Sequence, residues 1–261
     1  MFLQNKAAVV YGAGGAIGGA VARAFAAEGA DVYLTGRRLG PVDAVAKEIA
    51  AAGGSADATE VDALDEEAIG RHLRSVVERA GRVDVSFNAV GVPGRGLIGT
   101  PLVELDAERF DTPIAEFTRS YFLTATAAAR HMLPNRSGVI MTVTPLLSRA
   151  GTQLNGGYGA AAAAKEALTR DLSAELGPQG LRVVGLRPAG IPESSLMREV
   201  FASKPSDLDW EQFQGYLAGM NHTGRVMVLD EVAGAAVFAA SDRAGGLTGT
   251  TLNLTMGTLD D

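Results

Sequence analysis

The sequence predicts a doubly wound α/β fold, one parallel sheet of about seven strands with helices on both faces. Three observations predict it. Short apolar, β-branched runs alternate with longer segments whose apolar residues recur at helical spacing. The 33 glycines cluster between these segments, where strand-helix turns are made. The 261 residues, 47% hydrophobic and 20% charged, can bury one large core. Strict alternation of strand and helix requires parallel strands joined by right-handed crossovers, which places helices on both faces of the sheet.

The elements follow in order. A first strand is read at 7–11 (AAVVY) and a helix at 17–28, with Gly29 beyond it. The second strand, 31–35 (DVYLT), leads to a helix over 41–52 and Gly53. A weaker strand at 56–61 (ADATEV) precedes a helix at 65–80 and Gly81. The runs 83–88 (VDVSFN) and 138–144 (GVIMTVT) flank a long helical pattern at 104–133. A helix at 158–177, a strand at 181–187 (LRVVGLR), a helix at 229–241 and a last strand at 250–255 (TTLNLT) complete the chain. Glycine just past the last periodic residue is a helix stop, as at Gly29, Gly53, Gly81 and Gly177. Without a repeat or a composition break, residues 1–261 read as a single domain.

Residues 192–224 break this rhythm. They hold the only Trp, further aromatics, two Met and internal helix breakers. An insertion beyond a strand's carboxyl end either forms a lid over a ligand crevice or packs as a pair of surface helices. Substrate specificity is expected in this insert and in 92–103, both irregular.

Composition excludes several functions. A net charge of −7 and a pI near 5.1 leave no basic footprint for nucleic acid or an acidic membrane surface. The absence of cysteine removes disulfides, thiolate metal sites and a cysteine nucleophile. The three histidines form no i,i+4 pair, so no metal site is expected. No apolar stretch approaches the ~20 residues of a spanning helix and no signal-peptide pattern opens the chain, which makes a cytoplasmic location the expectation.

Directly after the first strand comes Gly12-Ala13-Gly14-Gly15-Ala16-Ile17-Gly18-Gly19, opening a helix. Small residues there let the backbone approach a pyrophosphate, whose charge is stabilised by free N–H groups and the positive helix end. Gly12, Gly14, Ala16, Ile17 and Gly18 are therefore candidate dinucleotide-binding residues. The second strand ends in Gly36-Arg37-Arg38. An acidic residue at this tip would accept both ribose hydroxyls and repel a 2′-phosphate. Arg37 and Arg38 instead offer forked donors, so NADP(H) is preferred over NAD(H).

With these residues the sequence resembles the short-chain dehydrogenase/reductase family along essentially its whole length, and the Rossmann fold follows from that resemblance. Residues 11–18 are similar to the family's Thr-Gly-x3-Gly-x-Gly turn, with Tyr11 for Thr and Ala16 for the middle Gly. Asn88-Ala89-Val90-Gly91 stands for Asn-Asn-Ala-Gly, and Pro188-Ala189-Gly190-Ile191 for the Pro-Gly segment. The resemblance implies that Asp62 and Ala63 face the adenine, that Asn88 and Ala89 support the cofactor strand, and that Pro188 and Ile191 lie at the nicotinamide. It also implies a homodimer or homotetramer, built on the helix at 158 and the one before it.

The catalytic motif departs from the family's common pattern. That pattern has Tyr four residues before Lys, Ser thirteen before Tyr, and an Asn in the preceding helix. With Lys165 as the motif lysine, the Tyr position holds Ala161, while Tyr158 lies seven back. This spacing is similar to that of enoyl-thioester reductases. An offset of seven falls about 20° short of two helical turns, so Tyr158 and Lys165 share a helix face. A phenol close to an ammonium can protonate the alkoxide left by carbonyl reduction. The hydroxyl partner is either Thr144 or Ser148, thirteen before Ala161, and the expected Asn is replaced at Phe117 or Thr118.

The leading expectation is an NADP(H)-dependent oxidoreductase acting on a small carbonyl or alcohol, with Tyr158 as acid, Lys165 as its electrostatic partner, and Thr144 or Ser148 orienting the oxygen. The same spacing suits reduction of a conjugated C=C. A reading from another class keeps Lys165 for ribose binding alone and makes the chain a dinucleotide-binding protein with little or no turnover.

Overall fold

The computed structural model describes residues 1–91, 98–203 and 207–260. The strands are β1 (Ala7–Tyr11), β2 (Asp31–Gly36), β3 (Ser55–Glu60), β4 (Val85–Asn88), β5 (Gly138–Val143), β6 (Leu181–Pro188) and β7 (Thr250–Leu254). They form one sheet in the order β3-β2-β1-β4-β5-β6-β7, and every neighbouring pair is parallel. The helices are α1 (Ala16–Ala27), α2 (Leu39–Ala51), α3 (Glu66–Ala80), α4 (Ala107–Met132), α5 (Tyr158–Leu176), α6 (Ser195–Ser203), α7 (Trp210–Met220) and α8 (Leu229–Ala240).

Alternation along β1 sorts the two cores. Ala8 and Val10 pack with residues of α1, α2 and α8 on one face, whereas Ala7, Val9 and Tyr11 pack with α3, α4 and α5 on the other. Successive strand residues point to opposite faces, so a strand covered on both sides is apolar throughout, as AAVVY is. β3 reads weakly for the converse reason. It pairs only with β2, and its side chains remain partly or fully exposed.

Local signals account for most boundaries. Asp65 caps α3 by accepting from Ala68 N at 3.0 Å, and Gly81 ends it with φ +76°. The pattern read from 104 begins as an α-helix only at Ala107. Asp106 caps it by accepting from Arg109 N at 2.8 Å, and residues 102–104 form a 3₁₀ turn instead. Gly177 is right-handed, with φ −57°, and the left-handed stop after α5 is Gly180 at φ +92°.

β1 and β4 are neighbours whose chains leave to opposite sides, and this switch point opens a crevice beyond the carboxyl ends of the strands. In register, Tyr11 pairs with Thr35 and Asn88, and Asn88 with Thr142. Gly12, Asn88 and Thr144 therefore gather at one edge of the sheet. The 192–224 insert supplies α6 and α7, joined by an aromatic cluster. Phe201 lies 5.3 Å from both Trp210 and Phe213 between ring centres, and Arg198 stacks 3.7 Å over Trp210. Positions 92–97 and 204–206, parts of the two segments expected to govern specificity, lie outside the described residues.

Candidate active site

A groove at the switch point is lined by Gly12, Gly14 and Gly15 from the first turn, Gly36, Arg37 and Arg38 from the tip of β2, and Asp62 and Ala63 after β3. Ala89 and Gly91 after β4 form its other wall, and Ser195, the first residue of α6, also reaches it. Ala16, Ile17 and Gly18 open α1 beside it. The turn has no room for a side chain at Gly12 or Gly18. A Cβ on Gly12 would lie 2.7 Å from the Ala89 carbonyl oxygen, and one on Gly18 would lie 2.3 Å from the Gly12 oxygen. Bare backbone at a helix N-terminus, beside two arginines, fits a dinucleotide. Asp62 accepts from Leu64 N at 3.0 Å, which fixes the turn that presents it. Neither Arg37 nor Arg38 has an ion-pair partner among the described residues.

Beyond the groove, the tips of β4, β5 and β6 meet α5. Lys165 is fully buried. Its Nζ donates to Asn88 Oδ1 at 3.3 Å and to the Val143 carbonyl at 3.4 Å. Asn88 is itself held by donating to Thr124 Oγ1 at 3.0 Å. Burial pushes the Lys165 ammonium well below the usual lysine range. The two oxygens and the ring faces of Phe117 at 3.9 Å and Tyr121 at 5.4 Å favour the charged form and oppose that push. Of the two positions read as replacing the family's Asn, Phe117 is the one at the lysine.

Tyr158 opens α5 and packs against Phe117, with ring centres 5.8 Å apart. It is 8% exposed, and burial pushes its phenol up to about 12. Its hydroxyl has no partner among the described residues and is not one of the polar atoms sealed from solvent. Ala161, at the family's tyrosine position, is fully buried and packs with Phe117 and Ala162.

Thr144 and Ser148 turn out to be one unit. Thr144 Oγ1 donates to Glu166 Oε1 at 2.9 Å, and Ser148 Oγ donates to the same oxygen at 2.6 Å. The carboxylate is held by Arg187, whose Nε reaches Oε1 at 2.9 Å and Nη2 reaches Oε2 at 2.8 Å. Burial raises the Glu166 carboxyl, but Arg187 and the two hydroxyls outweigh it and hold the carboxyl below its ordinary range. Glu166 and Arg187 escape a reading of motifs. The available signal is Arg187 itself, a charge near the carboxyl end of a strand that is buried at every position except Arg182; such a charge must find a buried partner. Pro188 ends β6, and Ile191, 3% exposed, follows it.

Comparison with known proteins decides the family. A family model described as enoyl-(acyl carrier protein) reductase matches residues 12–258. The chain belongs to the short-chain dehydrogenase/reductase family. This family member is an oxidoreductase. It is 30% identical over 251 residues to the short-chain reductase protein NovJ of Streptomyces niveus, covering 96% of this chain and 93% of that one. It is 28% identical over 239 residues to gluconate 5-dehydrogenase of Gluconobacter oxydans, covering 92% and 89%. The crystal structure of a short-chain type dehydrogenase/reductase from Mycobacterium marinum superposes with a TM-score of 0.88 at 25% identity, covering 99% and 97% of the two chains. Among the described residues of this short-chain dehydrogenase/reductase, no helix is long and apolar enough to cross a membrane.

Proposed function

We propose that the chain is an NADP(H)-dependent oxidoreductase that interconverts a small carbonyl substrate and its alcohol. The observation that carries this reading is the placement of Lys165. Its amine is fixed by Asn88 and Val143 at the strand tips bordering the dinucleotide groove, two helical turns from Tyr158 on the same helix. When bound, the nicotinamide dinucleotide supplies or takes the hydride.

The chain's own residues do the rest. Gly12, Gly14 and Gly15, with the amides of Ala16 to Gly18, receive the pyrophosphate. Arg37 and Arg38 receive the 2′-phosphate, and Asp62 and Ala63 border the adenine. Asn88 and Ala89 support the middle of the dinucleotide, and Pro188 and Ile191 border its nicotinamide end. Tyr158 gives its proton to the substrate oxygen as that oxygen becomes an alkoxide. A phenol held near 12 stays protonated at neutral pH, so the acid is always loaded. Lys165 stabilises the phenolate that remains, and Asn88 keeps the amine in place.

Tyr158→Phe tests this directly. With NADPH and a panel of small ketones and aldehydes, turnover is expected to fall by about 10²–10⁴-fold while cofactor affinity stays the same. Unchanged turnover would remove Tyr158 from the chemistry. The seven-residue spacing of Tyr158 and Lys165 and the enoyl reductase family model support a second reading, in which the phenol polarises the carbonyl of an enone. Including conjugated enones in the panel separates the two. Exposed Phe110 and Phe122 on α4, beside the small-residue surface of α5, support a homo-oligomer.

A further inference from the structure

Lys165 is a buried cation without a counter-ion. The residues before it, Ala160 to Ala164, are alanines and have nothing to offer a charge. The residue after it, Glu166, is turned to Arg187, Thr144 and Ser148. An ammonium has three N–H groups to place. Asn88 Oδ1 at 3.3 Å and the Val143 carbonyl at 3.4 Å take two of them, and both oxygens belong to neutral groups. No ion pair reaches the amine among the described residues. The titratable groups on the elements around it supply no free anion. Tyr121 on α4, Tyr158 on α5 and Tyr11, which pairs with Asn88 across β1 and β4, are phenols that burial keeps protonated. Glu166 is committed to Arg187 on β6, and Arg149 Nε lies 3.9 Å from the same carboxylate.

What meets the charge instead is a ring. Phe117 presents its face to Lys165 Nζ with the ring centre 3.9 Å away, and Tyr121 follows at 5.4 Å. An aromatic face carries partial negative charge, and its attraction for a cation grows when both are taken out of water. Here Lys165 is fully buried and Phe117 is 3% exposed. Packing against Ala161 and Ala162, about one turn before Lys165, holds the ring in place. We infer that Phe117 serves as the counter-charge of Lys165, its ring face holding the buried amine in the cationic form that the reaction uses. The consequence for the reaction rests on the functional reading above, in which Lys165 serves the nicotinamide ribose and the Tyr158 phenolate. A neutral amine would give the ribose a weaker hydrogen bond and the phenolate no charge. Phe117 is thus a positioning residue that acts through Lys165.

Carbon NMR of the whole protein, labelled with 13C at the lysine ε position, reads the proton on Lys165 directly. The chain has four lysines, and the Lys165 signal is the one missing from Lys165→Arg. Phe117→Leu removes the ring but little volume, and it is expected to lower the pKa of Lys165 by about one pH unit. Phe117→Tyr keeps a ring and should bring the titration back toward that of the wild type. If Phe117→Leu does not fold, phenylalanines of increasing ring fluorination placed at 117 decide the matter, because they keep the shape of the ring and drain its face. Lys165 should then titrate at progressively lower pH. A Lys165 pKa that stays or rises in Phe117→Leu, or that shows no trend with fluorination, overturns the inference, since a ring that only fills space has no face to drain. Titrating the same proteins with NADP(H) separates this from the functional reading. As pH rises through the Lys165 pKa the cation is lost, so cofactor affinity should begin to fall about one pH unit earlier in Phe117→Leu. If the Lys165 titration moves while cofactor affinity ignores it, the counter-charge stands and the placement of Lys165 at the ribose falls.

Discussion

Arg187 grips Glu166 through two parallel hydrogen bonds of 2.9 and 2.8 Å, joining β6 to α5 in a region where both residues are 3% exposed. The pair links the sheet to the helix that carries Tyr158 and Lys165, and Arg149 adds a third charge with Nε 3.9 Å from Glu166 Oε2. Two buried charges are tolerated because each satisfies the other, and neither is stable alone.

Breaking the pair on one side is therefore expected to be costly. Arg187→Met alone should destabilise the fold by about 3–5 kcal/mol, because it strands a buried carboxylate. Replacing both partners, Arg187→Met with Glu166→Leu, should cost clearly less than the sum of the two single replacements. Urea unfolding of the three variants measures this, and strict additivity would show that the two residues do not act as a pair.

Cofactor choice is assigned to two side chains at the tip of β2. Removing both, in Arg37→Ala with Arg38→Ala, should weaken NADP(H) binding by at least about tenfold while changing NAD(H) affinity little. On the proposed reading, the double replacement would remove the donors for charge-assisted hydrogen bonds to the 2′-phosphate, a group that NAD(H) does not carry. Calorimetric titration of both cofactors is the check. A wild type that binds NAD(H) more tightly than NADP(H) would contradict the assignment.

His72 on α3 gives the fold an acid-sensitive point. It is 6% exposed, its Nε2 is enclosed without a hydrogen-bond partner, and burial lowers its pKa to about 4. The unfolded chain protonates near 6.5, above the folded value, so as pH falls the unfolded state takes up the proton first. The corresponding stability is fully present above about 6.5 and is lost as pH falls toward 4, by roughly 3 kcal/mol at most. The difference in unfolding free energy between wild type and His72→Gln should shrink toward acid by that order. A difference independent of pH would place the imidazole in contact with water.

Much of the fold was legible in the sequence because burial on two faces leaves an apolar signature, as in residues 7–11 and 138–143. Edges and entries were less legible. β3, Ser55–Glu60, is half exposed, and Leu102–Glu104 continues the helical period without forming an α-helix, since Asp106 takes the cap. Part of the groove lining was legible, since Gly12, Gly14, Arg37, Arg38, Asp62, Ala63 and Ala89 all border it and a glycine turn acts through local backbone geometry, whereas Pro188 and Ile191 lie outside that lining. The polar end of the site was not. Thr144 and Ser148 read as alternatives, and only the folded chain brings both onto Glu166, twenty-two and eighteen residues away in sequence. Pairing across a sheet and a helix leaves no local pattern beyond the unexplained charge of Arg187.

The central claim is that Tyr158 delivers the proton beside the nicotinamide, and a crystal structure of the protein with NADP(H) bound measures it most directly. The expected result is the Tyr158 hydroxyl within about 5 Å of nicotinamide C4 and Lys165 Nζ at the nicotinamide ribose, leaving hydrogen-bond range for a substrate oxygen. A bound cofactor with the phenol turned away, against Phe117 or into a subunit interface and beyond reach of C4, would contradict it.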